Sequence, residues 1–464
     1  MPVFSAIMVP HPPLIIPQVG RGQEKAIQDT IVAYRKAAEL VASAKPDTVI
    51  VITPHSALYA DYFHISPGQS VKGSLAQFHA GDVQLEAKYD APFVSELCRR
   101  ADMDGLPAGT LGEKEKKLDH AAMVPLCFLR DAYGGSLPCQ VVRIGLSGLG
   151  FPDHYRLGML IRETADSLGR SIAVIASGDL SHRLKKDGPY GFAPEGPTYD
   201  EKIMDVMGQA TFLDLFRFDP DFCENAGECG HRSFVIMAGC LDGLGVKAEK
   251  LSYEGPFGVG YGICTYLPLG PDESRHFLNA YVQEQRQALE ARKKSEDEYV
   301  RLARQTLEAY VLRGESLAMP KGLPDDMVKR RAGVFVSLKK HGQLRGCIGT
   351  ISAATKSIAE EIMQNAISAG TQDPRFDPVR SNELDDLVYS VDVLGEAEDI
   401  ESPDALDVRR YGVIVTSGRR RGLLLPNLPG IDTVKDQVAI ARRKANIREN
   451  EKITLQRFEV VRHQ

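Results

Sequence analysis

Along the first 270 residues, short apolar runs alternate with longer stretches in which apolar positions recur at helical spacing. Phe4–Val9, Thr48–Thr53, Gln140–Ile144 and Ser171–Ala176 are rich in β-branched residues and alternate little in polarity. That is the pattern of strands buried on both faces of a parallel sheet. Gly22–Ser43 has the spacing of an amphipathic helix, and Tyr155–Leu168, Tyr199–Phe216 and Phe234–Leu244 predict further helices. Strand, helix, strand at these intervals implies right-handed βαβ units, hence an α/β fold with a mostly parallel sheet flanked by helices.

The texture changes after a Gly-Pro break at 267–272. Tyr281–Leu312 is highly charged and helical in pattern, with Arg292–Glu298 as the linker candidate, and the helix from about Tyr299 opens a second domain. From Ala332 onward, three strand signals (GVFVSLKK, LVYSVDVL, YGVIVTS) mix with helical stretches at Ile358–Ser368 and Thr433–Lys444, predicting a smaller α+β domain. The expected division is 1–270, a connecting linker or helix over 271–295, and 296–464.

Composition narrows the function classes. Charged residues are 25% and hydrophobic ones 43%, which excludes a disordered or fibrous chain. Basic and acidic residues number 56 and 62, a net charge of -6, and this argues against a nucleic-acid partner. No apolar run approaches the ~18 residues needed to cross a bilayer, so no membrane partner is expected. The start, MPVFSAIMVPHPPLIIP, lacks the basic region and cleavage site of a signal peptide. Eight scattered cysteines form no CxxC pair. The expectation is a reduced, cytoplasmic protein.

The candidate chemistry lies in the histidines. His11 and His55 each stand two residues beyond a strand, and His182 stands six beyond another, in the loop SGDLSH. Ligands of open α/β sheets bind past the carboxyl ends of parallel strands, so these three rings are expected to share a cleft. Neutral imidazole suits Fe(II), Zn and Cu, and a carboxylate or thiolate would complete an open first-row metal site. Glu224, Glu228, Cys229 and His231 all fall within Cys223–His231 (CENAGECGH), which holds candidates for that extra ligand.

With HPPL at His11, TPHS at His55, LDHAAMVPL around His120, SGDLSH at His182 and SYEGPFGVGYG at 252–262, residues 1–270 resemble the class III extradiol dioxygenase catalytic B-subunit-like family, including its MEMO branch. Residues 296–464 resemble an AMMECR1 domain through LRGCIGT, DPRFDPV, YGVIV and RRGLLLPN. The resemblance implies Fe(II), with zinc or another first-row metal as the alternative, held by His11 and His55. The third ligand it implies is Glu228, as in dioxygenases, or Cys229, as in MEMO-like relatives. Neighbours on a helix point ~100° apart, so one metal would not take both on a regular backbone. His182 is implied as general base and His120 as a substrate neighbour, with Asp119 or Asp179 as partners that orient the rings.

Two functions follow as expectations. One is an oxidoreductase, an extradiol dioxygenase acting on a catechol-type small aromatic and O2. The other is a MEMO-like metal- or peptide-binding protein that acts with a radical-SAM partner. A zinc hydrolase or lyase on the same histidines is a third, and self-association is left open. In the second domain, Cys347 stands between glycines beside Arg345, a candidate reactive or binding thiol, and Arg375 with Arg419–Arg421 is a candidate anion patch.

Overall fold

β-Branched runs with no polar face are most stable where both faces of a sheet are covered, and four of them form the parallel part of one sheet here. In a computed structural model, which describes residues 2–114, 116–340, 342–428 and 430–464, the chain divides into two units, Met1–Glu284 and Gln285–Gln464. The first unit is built on β1 (Val3–Val9), β2 (Thr48–Thr53), β3 (Gln140–Gly145) and β4 (Ile172–Ser177), paired in parallel in the order β3-β2-β4-β1. Alternate side chains feed two cores. Met8, Ile50, Ile52 and Val174 join one, while Ile7, Val9, Val51 and Ile175 join the other. Helices α1 (Gln28–Ala44) and α2 (His120–Ala132) cover the second face, and α3 (Phe151–Leu168) and α5 (His231–Cys240) the first, with α4 (Glu195–Gln209) between them in sequence.

The sequence pattern differs from the structure in several places. The stretch from Gly22 begins as a 3-10 turn at Gln23–Ile27, and α1 starts only at Gln28. The helix expected over Tyr199–Phe216 stops at Gln209, because Ala210 takes a left-handed backbone (φ 54°) and a 3-10 segment follows. Leu244, expected to end a helix, instead opens β5 (Leu244–Glu254), which pairs antiparallel with β6 (Tyr261–Pro271) at the sheet edge beside β1. The charged stretch is two helices, α6 (Phe277–Ser295) and α7 (Glu298–Arg313), with Asp297 capping the second.

The second unit is β-rich. Strands β7 (Val334–Lys340), β8 (Gln343–Gly349), β9 (Leu387–Leu394) and a late strand, β14 (Val460–His463), form an antiparallel sheet in the order β8-β7-β9-β14. One face packs on α7 and α8 (Ile358–Thr371). A second antiparallel sheet, in the order β10-β13-β11-β12, comprises β10 (Glu398–Ile400), β11 (Gly412–Ser417), β12 (Arg420–Leu424) and β13 (Thr454–Phe458), with α9 (Val434–Lys444) against β12.

Candidate metal centre

Register brings the site together. Val9 of β1 lies opposite Ser177 of β4, and Ile52 of β2 opposite Ala176, so the carboxyl ends of these three neighbouring strands are level. His11, His55 and Asp179 each follow their strand's last residue by two. The third ring arrives on a helix: Asp119 caps α2 by accepting from Ala122 N–H (3.0 Å), and the same Oδ1 accepts from Thr53 Oγ1 at the end of β2 (2.7 Å). That tie delivers His120, the first residue of α2, to the strand ends.

His11, His55 and His120 converge, with one ligand nitrogen from each within 4.8 Å of the others. The Nε2 atoms of His11 and His55 are 3.1 Å apart, and the His55 and His120 rings stack at 4.5 Å. Hydrogen bonds define the tautomer of His11. The single proton of the Ser177 hydroxyl goes to Ala121 C=O (2.7 Å), so Ser177 Oγ must accept from His11 Nδ1–H (3.0 Å). His11 Nε2 therefore carries a lone pair, aimed at His55 Nε2 and at Cys229 Sγ, 3.6 Å away. An N–H partner on the far ring nitrogen is the usual arrangement of a metal-ligating imidazole. The donor set thus fits a first-row metal ion, with His11, His55 and either His120 or Cys229 available to hold it.

The electrostatics favour neutral rings. Burial, then the neighbouring imidazoles, holds His11 well below the ordinary range and brings His55 down to about 4. Burial also lowers His120 and His182. Asp179 Oδ1 accepts from the His11 backbone N–H (2.7 Å), and burial pushes this carboxyl up to about 7. His182 stands at the edge of the cluster. Its Nδ1 donates to Gly227 C=O (2.6 Å), leaving an Nε2 lone pair 4.0 Å from Asp179 Oδ2. Two aromatic rings meet the outer histidines edge-on: Phe78 against His120 (5.4 Å) and Tyr190 against His182 (5.1 Å).

The remaining sequence candidates fall elsewhere. The Glu228 carboxylate turns to the start of α5 and accepts from His231 N–H (2.6 Å), so it serves the helix terminus while its neighbour Cys229 faces His11. His231 is fully buried, with Nε2 on Leu215 C=O, and Glu224 is exposed on a short helix. A β-bulge leaves Arg345 unpaired between Leu344 and Gly346, and its guanidinium forks onto Glu383 (2.9 Å). Arg375 is taken by Asp373, Arg420 by Glu451 and Arg421 by Gln456, so the expected arginine patch is largely paired. Sequence reasoning missed Ser177 as the partner of His11. Its position, level with Val9 at the end of β4, was the available signal.

Set beside known proteins, this arrangement has a family. The model described as the catalytic LigB subunit of aromatic ring-opening dioxygenase matches residues 5–264, and the AMMECR1 model matches residues 300–463. The chain belongs to the LigB-type ring-opening dioxygenase subunit family and carries an AMMECR1 domain after it. Protein CA_C1420 of Clostridium acetobutylicum has the same span: 40% identity over 464 residues, 98% of each chain. A protein of Thermotoga maritima is 47% identical over 170 residues, which cover 36% of this chain and 98% of that one. The crystal structure of an uncharacterized Pyrococcus horikoshii protein, PH0010, is similar over 35% of this chain and 88% of its own, at 34% identity and a TM-score of 0.33.

Proposed function

We propose that the first unit is a metal-dependent oxidoreductase that opens a catechol-type aromatic ring with O2, on an ion held by His11, His55 and a third donor. The observation that carries this reading is the convergence of three neutral imidazoles beside a fourth, His182, whose Nε2 lone pair is uncommitted. When bound, Fe(II) supplies Lewis acidity and one-electron chemistry toward O2. The chain's own residues do the rest. His182 Nε2 takes the proton of a substrate hydroxyl, its ring oriented by the Nδ1–H bond to Gly227 and kept neutral by burial. His120 and the edges of Phe78 and Tyr190 offer apolar and hydrogen-bonding surface to a planar ring.

A second reading has its own observation. A thiol, Cys229, rather than the Glu228 carboxylate, lies next to His11, which suits a softer ion such as zinc and a metal- or peptide-binding role with a radical-SAM partner. Anaerobic Fe(II) reconstitution followed by oxygen uptake over a panel of catechols separates the two. Uptake that collapses in His182→Ala supports ring opening. Tight metal binding with no uptake on any catechol supports the second reading.

A further inference from the structure

The glycine-rich run SYEGPFGVGYG at 252–262 folds against the loop that carries His182. Leu180 N–H donates to Gly260 C=O (2.9 Å), Gly260 N–H to Ser181 C=O (2.8 Å) and Leu184 N–H to Gly258 C=O (3.1 Å). Lys185 Nζ donates to Pro256 C=O (2.7 Å). The loop is thereby bonded to the run on both sides of His182.

Ser181, fully buried, is the hub of this contact. Its hydroxyl donates to Ala226 C=O (2.7 Å), at the end of the short helix Pro220–Ala226, and the same oxygen accepts from Arg183 N–H (2.9 Å). Its own N–H donates to Asp200 Oδ1 on α4 (2.8 Å). The second oxygen, Asp200 Oδ2, accepts from the Tyr253 hydroxyl (2.8 Å), so one buried acid ties α4, β5 and the His182 loop together. Gly260 permits the approach, because a Cβ there would run into the Asp200 carboxylate. His182 adds two bonds of its own to the residue after Ala226: its N–H (3.2 Å) and its Nδ1–H (2.6 Å) both reach Gly227 C=O. The aim of the ring therefore depends on Ser181 keeping its place beside 226–227. No cation pairs with Asp200 among the described residues. Burying an acid without a counter-ion opposes folding, which points to a role in the chemistry rather than in stability.

We propose that Asp200 is the positioning residue of His182: through Ser181 N–H it fixes the loop so that His182 Nε2 is presented to the cleft, and Tyr253 holds the acid in place. The proposal rests on the ring-opening reading, in which that nitrogen takes the substrate proton.

Two readouts on the full chain test it. In the metal-free protein, nitrogen NMR of ring-labelled histidine above neutral pH should show His182 with one protonated and one unprotonated nitrogen, the signals being assigned by their loss in His182→Gln. In Asp200→Ala the two nitrogen shifts should move toward each other, as the freed ring exchanges tautomers. With Fe(II) loaded, the same variant should lose about 10²-fold in kcat on catechols, the cost of a misplacement of about 1 Å, with metal affinity unchanged. Asp200→Asn, whose amide oxygen still offers an acceptor to Ser181 N–H, should recover both. An unaltered His182 spectrum in Asp200→Ala overturns the proposal. So does a kcat loss that Asp200→Asn fails to recover, or one matched by an equal loss of metal affinity. Where Asp200→Ala does not fold, Tyr253→Phe takes its place, since it removes only a hydroxyl at an exposed residue; a wild-type spectrum and kcat there overturn the proposal. If the wild type turns over no catechol, the ring-opening reading fails, and the spectra alone decide whether Asp200 places His182.

Discussion

Replacing Ser177 by alanine tests the metal centre through a residue that touches no metal. Ser177 is fully buried, accepts from His11 Nδ1–H and donates to Ala121 C=O. Without the hydroxyl, Nδ1–H has no acceptor, and leaving a buried donor unsatisfied costs about 1–3 kcal/mol. The ring has an escape. The other tautomer places its proton on Nε2, where His55 Nε2 stands ready at 3.1 Å to accept it. That tautomer removes the lone pair needed for ligation, so the apo protein is relieved at the expense of metal binding. Loss of such an outer partner typically weakens metal affinity about 10–100-fold, equivalent to about 1.4–2.8 kcal/mol. Competition against a chromophoric chelator, run anaerobically with Fe(II) and separately with Zn(II), measures it directly. An affinity within twofold of wild type, in a variant that unfolds as cooperatively as the parent, would falsify the tautomer assignment.

Four further outcomes are expected. Cys229→Ser should weaken metal binding, whereas Glu228→Gln should leave it unchanged and lower the melting temperature instead; the reverse in the same chelator competition would make Glu228 the ligand. His182→Gln should cut turnover by about 10²–10⁴-fold with metal affinity retained, the usual worth of a general base, and an unaltered kcat would remove His182 from the chemistry. Gly178→Ala should destabilise the first unit by at least about 1–3 kcal/mol, because the new Cβ would lie 2.1 Å from Gly230 Cα; an unchanged thermal transition would contradict that close approach. His276 donates to buried Asp242 (2.7 Å), a hydrogen bond that raises its pKa above the unfolded value of ~6.5. Its stabilising contribution is therefore complete below about pH 6.5 and is lost as pH rises through the raised value. The melting-temperature gap between wild type and His276→Gln should accordingly be wider at pH 6 than at pH 9, and a gap independent of pH would exclude the pairing.

Much of the fold was written in local pattern. Runs such as TVIVIT can be stable only where both faces are covered, so a parallel sheet with helices on each side followed from them, and with it the placing of His11 and His55 just past strand ends. The edge strand β5 was not legible, because its half-exposed residues carry mixed polarity that reads as loop or helix. What the sequence determined by itself is therefore the sheet and the two histidines fastened to its strands, since strand direction alone carries them to one edge. Tertiary structure decided the rest. Asp119, at the start of α2, had to bond Thr53 at the end of β2 for His120 to join the other rings. The backbone around 228–230 had to present one of two adjacent donors to His11, and it presents Cys229. A single bulge left Arg345 outside the strand register, and its guanidinium went to Glu383. Each of these depends on a hydrogen bond or register between residues distant in the chain, and no window of neighbouring positions contains that information.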